Sequence, residues 1–374
     1  MKNKYSAILA ICVLLGMAFL MANQGQNPQW KGTIEDEDGI TVVKNPKAPI
    51  YGKDIFGLKE ELTIGEKEGE EEYMFTRLSA IDVDEKGNIY TLHLREGHIK
   101  VFDNKGKYIK TFGRKGQGPG EMQFPYNIHI TPKKEILLND VRARRLLFYS
   151  LDGVFLKQIS TAKMTFFLDP KINSMGMIVG SKQILGLIPG FELLMFDTNF
   201  DLIKTIATIE LPKPPAINPE MPEFCWEYTK EDNLIWGIPT KYELQVLNEE
   251  GEIIKKIKKD YDPVKITEEE KEVMTKRFSM EGAPPNIKIE LPQNHLVFMN
   301  LSIDDEGRLF LGTYEKGRDG EGYYYDVFDS EGKYLTKILL KAMPQVWKKR
   351  NLYTIEEDDE GYQVVKRYKV TWSY

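Results

Sequence analysis

The chain is short of most residues that covalent stapling and common catalytic centres require. Its 374 residues hold two cysteines, Cys12 and Cys225, and four histidines. With Cys12 inside an apolar N-terminal run, no disulfide framework can form, so stability has to come from burial and topology. Cys225 then reads as a small buried hydrophobe rather than a nucleophile. Four histidines argue against a triad of histidine metal ligands. No Gly-x-Ser-x-Gly, His-Glu-x-x-His or Gly-Lys-Ser/Thr occurs, which removes the sequence signals of serine hydrolases, zinc peptidases and phosphate loops. A basic excess is lacking too. Lys and Arg number 51 against 57 Asp and Glu, a net charge of −6, and a nucleic-acid partner is excluded on that ground. No catalytic residue, metal or cofactor is assigned.

Long apolar runs are absent with one exception. Lys2 and Lys4 precede residues 5–22, "YSAILAICVLLGMAFLMA", and polar "NQGQNPQW" follows. A basic start, an apolar middle and a small residue at the end form the anatomy of a secretory signal. At 18 residues the run is also at the lower limit for a spanning helix, so a membrane tether is the alternative. A lipoprotein signal does not fit, because Ile11 precedes Cys12. The expectation is an exported protein, periplasmic or extracellular, with residues 1–22 as signal or anchor.

What the chain has in quantity is repetition. "VFDNKGKYIKTF" from Val101, "FYSLDGVFLKQI" from Phe148 and "MFDTNFDLIKTI" from Met195 share one pattern with "VLNEEGEIIKKI" from Val246 and "VFDSEGKYLTKI" from Val327. Each has an apolar pair, a polar turn and an alternating strand. Spacings of 47, 47, 51 and 81 residues match a four-stranded propeller blade. Asp/Asn-x-x-Gly recurs at residues 84–87, 103–106, 248–251, 304–307, 329–332 and 358–361. The first residue opens a type I turn through its side chain, and glycine takes the left-handed position that closes a hairpin. Within the long interval, "TEEEKEVMTKRF" from Thr267 predicts a helix with a Thr267/Glu270 capping box, an excursion inside an insertion at 259–294. The five prolines of "LPKPPAINPEMPEF" predict a stiff connector at 211–224.

Five repeats leave both ends over. Residues 58–65 read as an outermost strand, residues 352–370 as the inner hairpin of a blade, and "GITVV" from Gly39 as its third strand. Together they form a sixth blade from both termini, which closes the ring over residues 38–374 and removes free sheet edges. The expected fold is all-β: a six-bladed propeller of four-stranded antiparallel blades.

The stretch "GRKGQGPGEMQFP" at 113–125 resembles the blade junction of NHL-repeat propellers, G-x-x-G-x-G-P-G-x-F-x-x-P, with Met122 where that pattern has Phe. The wider arrangement is similar to exported bacterial six-bladed propellers of uncharacterised activity. The resemblance implies a fold and a compartment, not a reaction. A phosphate cradle is the rival reading of these glycines, but no helix follows to meet an anion. The corner reading is taken, with Phe124 expected to pack between blades.

In an antiparallel blade the first and third turns share one end, while the second turn and the crossover share the other. The irregular loops fall on the crossover end, where ligands are expected. That face predicts Arg95, Tyr126, Asn127, Arg142, Arg144, Trp226, Lys241, Tyr314 and Arg318 as ligand-binding residues, Arg with aromatics suiting anionic or carbohydrate groups. The alternation of Phe224, Trp226 and Tyr228 reads more simply as blade packing. The expected role is a monomeric binding scaffold for a protein, peptide or glycan. The rival is a metal-dependent, lactonase-like hydrolase or lyase with its site in the central channel.

Overall fold

A computed structural model describes residues 29–164, 166–213, 216–278 and 288–374. The signal or anchor expected at residues 1–22 lies outside them. Among the described residues no helix is long and apolar enough to cross a membrane.

Six antiparallel blades surround a channel. Blades 1 to 5 span residues 78–112, 125–160, 167–210, 225–259 and 300–340, each with its strands in sequence order. Blade 6 is shared between the termini. Pro344–Lys348 is innermost, Asn351–Glu357 and Gln363–Trp372 follow, and Phe56–Ile64 closes the outside against Gln363–Trp372.

Two parts of the sequence expectation for blade 6 are corrected. The hairpin at 358–361 joins its second and third strands, not the inner pair, so that turn lies on the crossover face. The strand Ile40–Asn45, which carries "GITVV", is not in blade 6 at all. It runs parallel to Ile253–Lys259 as a fifth strand of blade 4, with Thr33–Glu37 as a sixth. Blade 6 has no vacancy once Pro344–Lys348 takes the inside, whereas the lysine-rich strand Ile253–Lys259 would otherwise present an open outer edge.

There is no single core. Six apolar clusters fill the six spaces between adjacent blades, as Leu147 and Tyr149 do with blade 1 while Phe148 faces blade 3. The period-2 alternation that places successive side chains on opposite faces builds both layers from one strand.

The tight turns behave as their chemistry requires. In the first, Asp84 Oδ1 accepts from Lys86 N and Asn88 N at 2.8 Å, and Gly87 takes φ +85°. The helix Glu268–Phe278 opens on a reciprocal box, with Glu270 N donating to Thr267 Oγ1 and Thr267 N to Glu270 Oε2. Residues 216–217 of the connector pair with 288–289, tying the two excursions together.

Asn45 pins the N-terminal hairpin across blades 4 and 5. Its Oδ1 accepts from Tyr334 N (2.7 Å) and Trp30 Nε1 (2.9 Å), and its Nδ2 donates to Gly332 O (2.8 Å) and Lys258 O (3.1 Å). Asn45→Ala strands buried partners on both blades and is expected to lower stability by about 2–4 kcal/mol in urea unfolding. A cost under about 0.5 kcal/mol would remove Asn45 from that role.

Candidate functional site

The 113–125 stretch is a corner, and its own residues explain the glycines. Glu121 turns back into the loop, accepting from Gly118 N at 2.9 Å and pairing with Arg114 at 2.6 Å. A Cβ on Gly116 would stand 2.0 Å from that carboxylate. The position an external anion would need is therefore held by a side chain of the loop. Arg145 secures the corner from blade 2, donating to Glu121 O (2.7 Å) and pairing with Asp140 (3.4 Å), which accepts from Gln123 N and Phe124 N. Phe124 is not packed between blades. It is 39% exposed, and Met122, which occupies the phenylalanine position of the NHL-like pattern, is fully buried instead.

The predicted site residues separate. Arg95, Tyr126, Arg142 and Arg144 are exposed on the crossover side of blades 1 and 2. Lys241 is exposed on blade 4 beside Glu243, and Arg318 is exposed at the tip of the blade 5 turn. Trp226 is not on that face: it is 5% exposed and packs in the layer between blades 3 and 4 with Phe224 and Trp236, as alternation suggested. Asn127 belongs to the inner strand of blade 2 and donates to Asp169 at 3.0 Å. Tyr314 is covered by His295, their rings stacked at 4.5 Å.

His295 itself is a latch. Its Nδ1 lies 2.6 Å from Glu220 and its Nε2 3.3 Å from Glu270, so connector, helix and blade 5 meet on one ring. Burial alone would depress its pKa, but the hydrogen bonds and charges of Glu220 and Glu270 outweigh it and raise the value. A raised folded pKa means stability present below the ordinary histidine value and lost as pH rises through the folded one. The melting-temperature gap between wild type and His295→Gln is therefore expected to shrink as pH rises. A gap independent of pH would show that the imidazolium is not what holds the helix.

A cavity lies at the other end of the molecule, among the described residues. About 670 Å³ opens where the channel meets the tight-turn face, lined by inner-strand ends and first turns from all six blades. Part of its lining, His129, Lys171 and Glu227, follows from one register. Asp84, Thr131, Asn173, Thr229 and Asp304 each donate a backbone N–H to the carbonyl four residues on, so they are equivalent positions. Two residues earlier stand Asp82, His129, Lys171, Glu227 and Ser302, one polar side chain per blade on the same rung.

These groups stitch neighbours together. Asp82 accepts from Ile130 N at 2.5 Å and stands 3.8 Å from His129, joining blades 1 and 2. Lys171 pairs with Glu227 between blades 3 and 4, and lies 3.7 Å from Asp169. Trp347 Nε1 donates to Ser302 (3.0 Å) between blades 5 and 6, and Lys348 pairs with Glu85 between blades 6 and 1. Burial pushes the carboxyls of Asp82 and Glu227 above the usual range, with His129 and Lys171 pulling each part of the way back. Burial would also lower Lys171, but Asp169 and Glu227 raise it and keep it charged. Cys225, at the start of the blade 4 inner strand, has its thiol pushed up to about 12 by burial and is no nucleophile at neutral pH. Among the described residues no group of three or more His, Cys, Asp and Glu side chains is arranged to hold a metal ion.

Sequence reasoning missed this ring because its members differ in type. The signal was there in "AIDVD", "NIHIT", "PKIN" and "WEYT": a polar residue at one fixed offset before each turn.

A family model described as a 6-bladed beta-propeller, DUF5128, matches residues 67–175. No curated protein matches the chain in sequence. Among solved structures it is similar to a protein of Bacteroides fragilis NCTC 9343 provisionally described as exported, with TM-score 0.58 and 12% identity over 89% of this chain and 100% of that one. A member of the DUF4221 family from Bacteroides vulgatus ATCC 8482 superposes with TM-score 0.56 and 15% identity, covering 86% and 100%. At these identities the likeness is one of fold.

Proposed function

We propose that the chain is an exported binding protein that takes a short peptide or glycan into the tight-turn mouth of its channel. One observation carries the reading: five blades place two carboxylates, an imidazole, an ammonium and a hydroxyl on the same inner rung, and His129, Lys171 and Glu227 of that rung line a cavity of about 670 Å³. A space of this size suits a small ligand, and convergent polar groups give it orientation. A repeated fold needs only similar residues there. Unlike residues, offering carboxylate, imidazole, ammonium and hydroxyl in turn, favour a ligand that both donates and accepts. Export rests on the basic–apolar start of the chain and agrees with the description of the Bacteroides fragilis neighbour. The NHL-like junction supports the blade architecture and leaves the ligand open.

The channel-centred hydrolase stays as a second reading, because Asp82 stands 3.8 Å from His129 and burial raises the carboxyls of both Asp82 and Glu227. A peptide and glycan array with calorimetry on the hits separates the two. His129→Asn is expected to weaken binding about tenfold, the loss of one or two hydrogen bonds, with an unchanged circular-dichroism spectrum. Turnover of an ester or lactone panel, lost in His129→Asn, would replace the binding reading with the catalytic one.

A further inference from the structure

A small cavity of about 80 Å³ lies between blades 4 and 5, walled by Tyr242, Lys259, Leu296, Thr313, Asp326 and Lys337. Lys47 and Asp262, which pair with one another and are both mostly exposed, also line it, so the space reaches solvent. Where about 10–15 Å³ holds one water, this volume admits a molecule of several heavy atoms.

The wall holds a buried amine. Lys259 ends the strand Ile253–Lys259 with its side chain 4% exposed. Its Nζ lies 3.3 Å from Asp326 Oδ2 and donates to Asp260 O at 3.3 Å. Among the described residues no third acceptor stands beside it, so one of its three N–H groups is unmatched. The rings of Tyr242 and Tyr334, 4.8 and 4.7 Å from Nζ, hold it in place. Asp326 is oriented in turn, Tyr242 Oη donating to its Oδ2 and Tyr334 Oη to its Oδ1, each at 2.6 Å. A nucleophile within reach of a carboxylate that other groups orient is the arrangement of covalent catalysis. Burial depresses the Lys259 pKa, Asp326 pulls it part of the way back, and Lys337 presses it down again. A lysine in such surroundings presents more of its neutral, nucleophilic form.

The charges that line the cavity cancel in pairs. Lys47 takes Asp262, Lys337 takes Glu315 at 2.6 Å, and Lys259 takes Asp326. No lining cation is left over for a ligand carboxylate, and Leu296, Val297 and Val264 add apolar surface. The space therefore suits an uncharged molecule.

We propose that Lys259 forms a Schiff base with an uncharged short-chain aldehyde or ketone that enters this cavity. Nζ bonds to the carbonyl carbon, and the carbon–oxygen bond breaks. Two of the ammonium's three protons leave on the carbonyl oxygen as water, and the third stays on the iminium nitrogen. Asp326 carries protons from nitrogen to oxygen, and no oxidant or reductant is needed. The site is separate from the channel mouth and does not depend on what the channel binds.

The test treats the full chain with propanal and cyanoborohydride at neutral pH, which fixes each imine as a propyl-lysine that peptide mass mapping locates. Lys259 is expected to label roughly tenfold faster than the exposed Lys31 and Lys163, and to lose that lead in concentrated urea. Two further arms probe the cavity. Naphthaldehyde, which is too large for it, and Val264→Trp, which fills it, should each bring Lys259 down to the rate of the exposed lysines. The melting temperature of the variant checks its fold. Labelling of Lys259 no faster than Lys31 in the folded chain overturns the proposal. A lead that persists with naphthaldehyde or in urea overturns it too, since the cavity would then not be what selects. Faster labelling by pyruvate than by propanal overturns the assignment to an uncharged ligand.

Discussion

Removing residues 351–374 is expected to turn a soluble protein into an aggregating one. The cut deletes Asn351–Glu357 and Gln363–Trp372, the two central strands of blade 6. Phe56–Ile64 pairs only with the second of these, so it is released, and Pro344–Lys348 loses its neighbour. Two inter-blade layers open together. The layer against blade 1 loses Tyr353 and Val365, and the layer against blade 5 loses Leu352 and Val370, all at most 6% exposed. At roughly 2–5 kcal/mol for each large buried side chain removed, the loss reaches the whole net stability of about 5–15 kcal/mol. The unpaired edges of Pro344–Lys348 and Phe56–Ile64, with the bared apolar faces of blades 1 and 5, then template association. Size-exclusion chromatography and thermal melting read the result. A monomer with an unchanged melting temperature would show that the ring does not depend on its composite blade.

The second large effect is expected at Asp326, in the wall between blades 4 and 5. It is 1% exposed and accepts from the hydroxyls of Tyr242 and Tyr334, each at 2.6 Å. Lys259 lies 3.3 Å away with its ammonium over both rings, 4.8 and 4.7 Å from their centres. Asp326→Ala leaves that buried cation and two hydroxyls without their acceptor. Breaking a buried pair from one side costs about 3–5 kcal/mol, and denaturant unfolding should return that figure. The sign with pH follows. Burial already lowers Lys259 despite Asp326, so without Asp326 the folded state binds its proton still less readily than the unfolded chain does. Stability of Asp326→Ala should therefore rise with pH through the alkaline range. The double variant Lys259→Met/Asp326→Leu should recover most of the loss, since apolar replacement of a whole buried pair is tolerated. A double variant as unstable as the single would assign the cost to the tyrosine hydroxyls rather than the charge pair.

The sequence by itself determined the features written in short-range chemistry. Alternation of period two, Asp/Asn-x-x-Gly turns and a period near 47 residues determine blades, and the Thr267/Glu270 box determines where the helix starts, because each depends on residues within a few positions. The outermost strand of blade 6 was legible for the same reason, by likeness to the segment one period on.

Only the tertiary structure decided matters that depend on which surfaces meet. Ile40–Asn45 could pair with any open outer edge, and the one it takes is more than two hundred residues away on blade 4. Met122 rather than Phe124 is buried because the Gly-rich corner aims one of them inward, a direction that hydrophobicity does not encode. The polar rung fell outside repeat detection, since Asp82, His129, Lys171 and Glu227 have nothing in common as residue types. They come together because ring closure sets inner strands side by side, and Glu227 on one blade then stands within reach of Lys171 on the next.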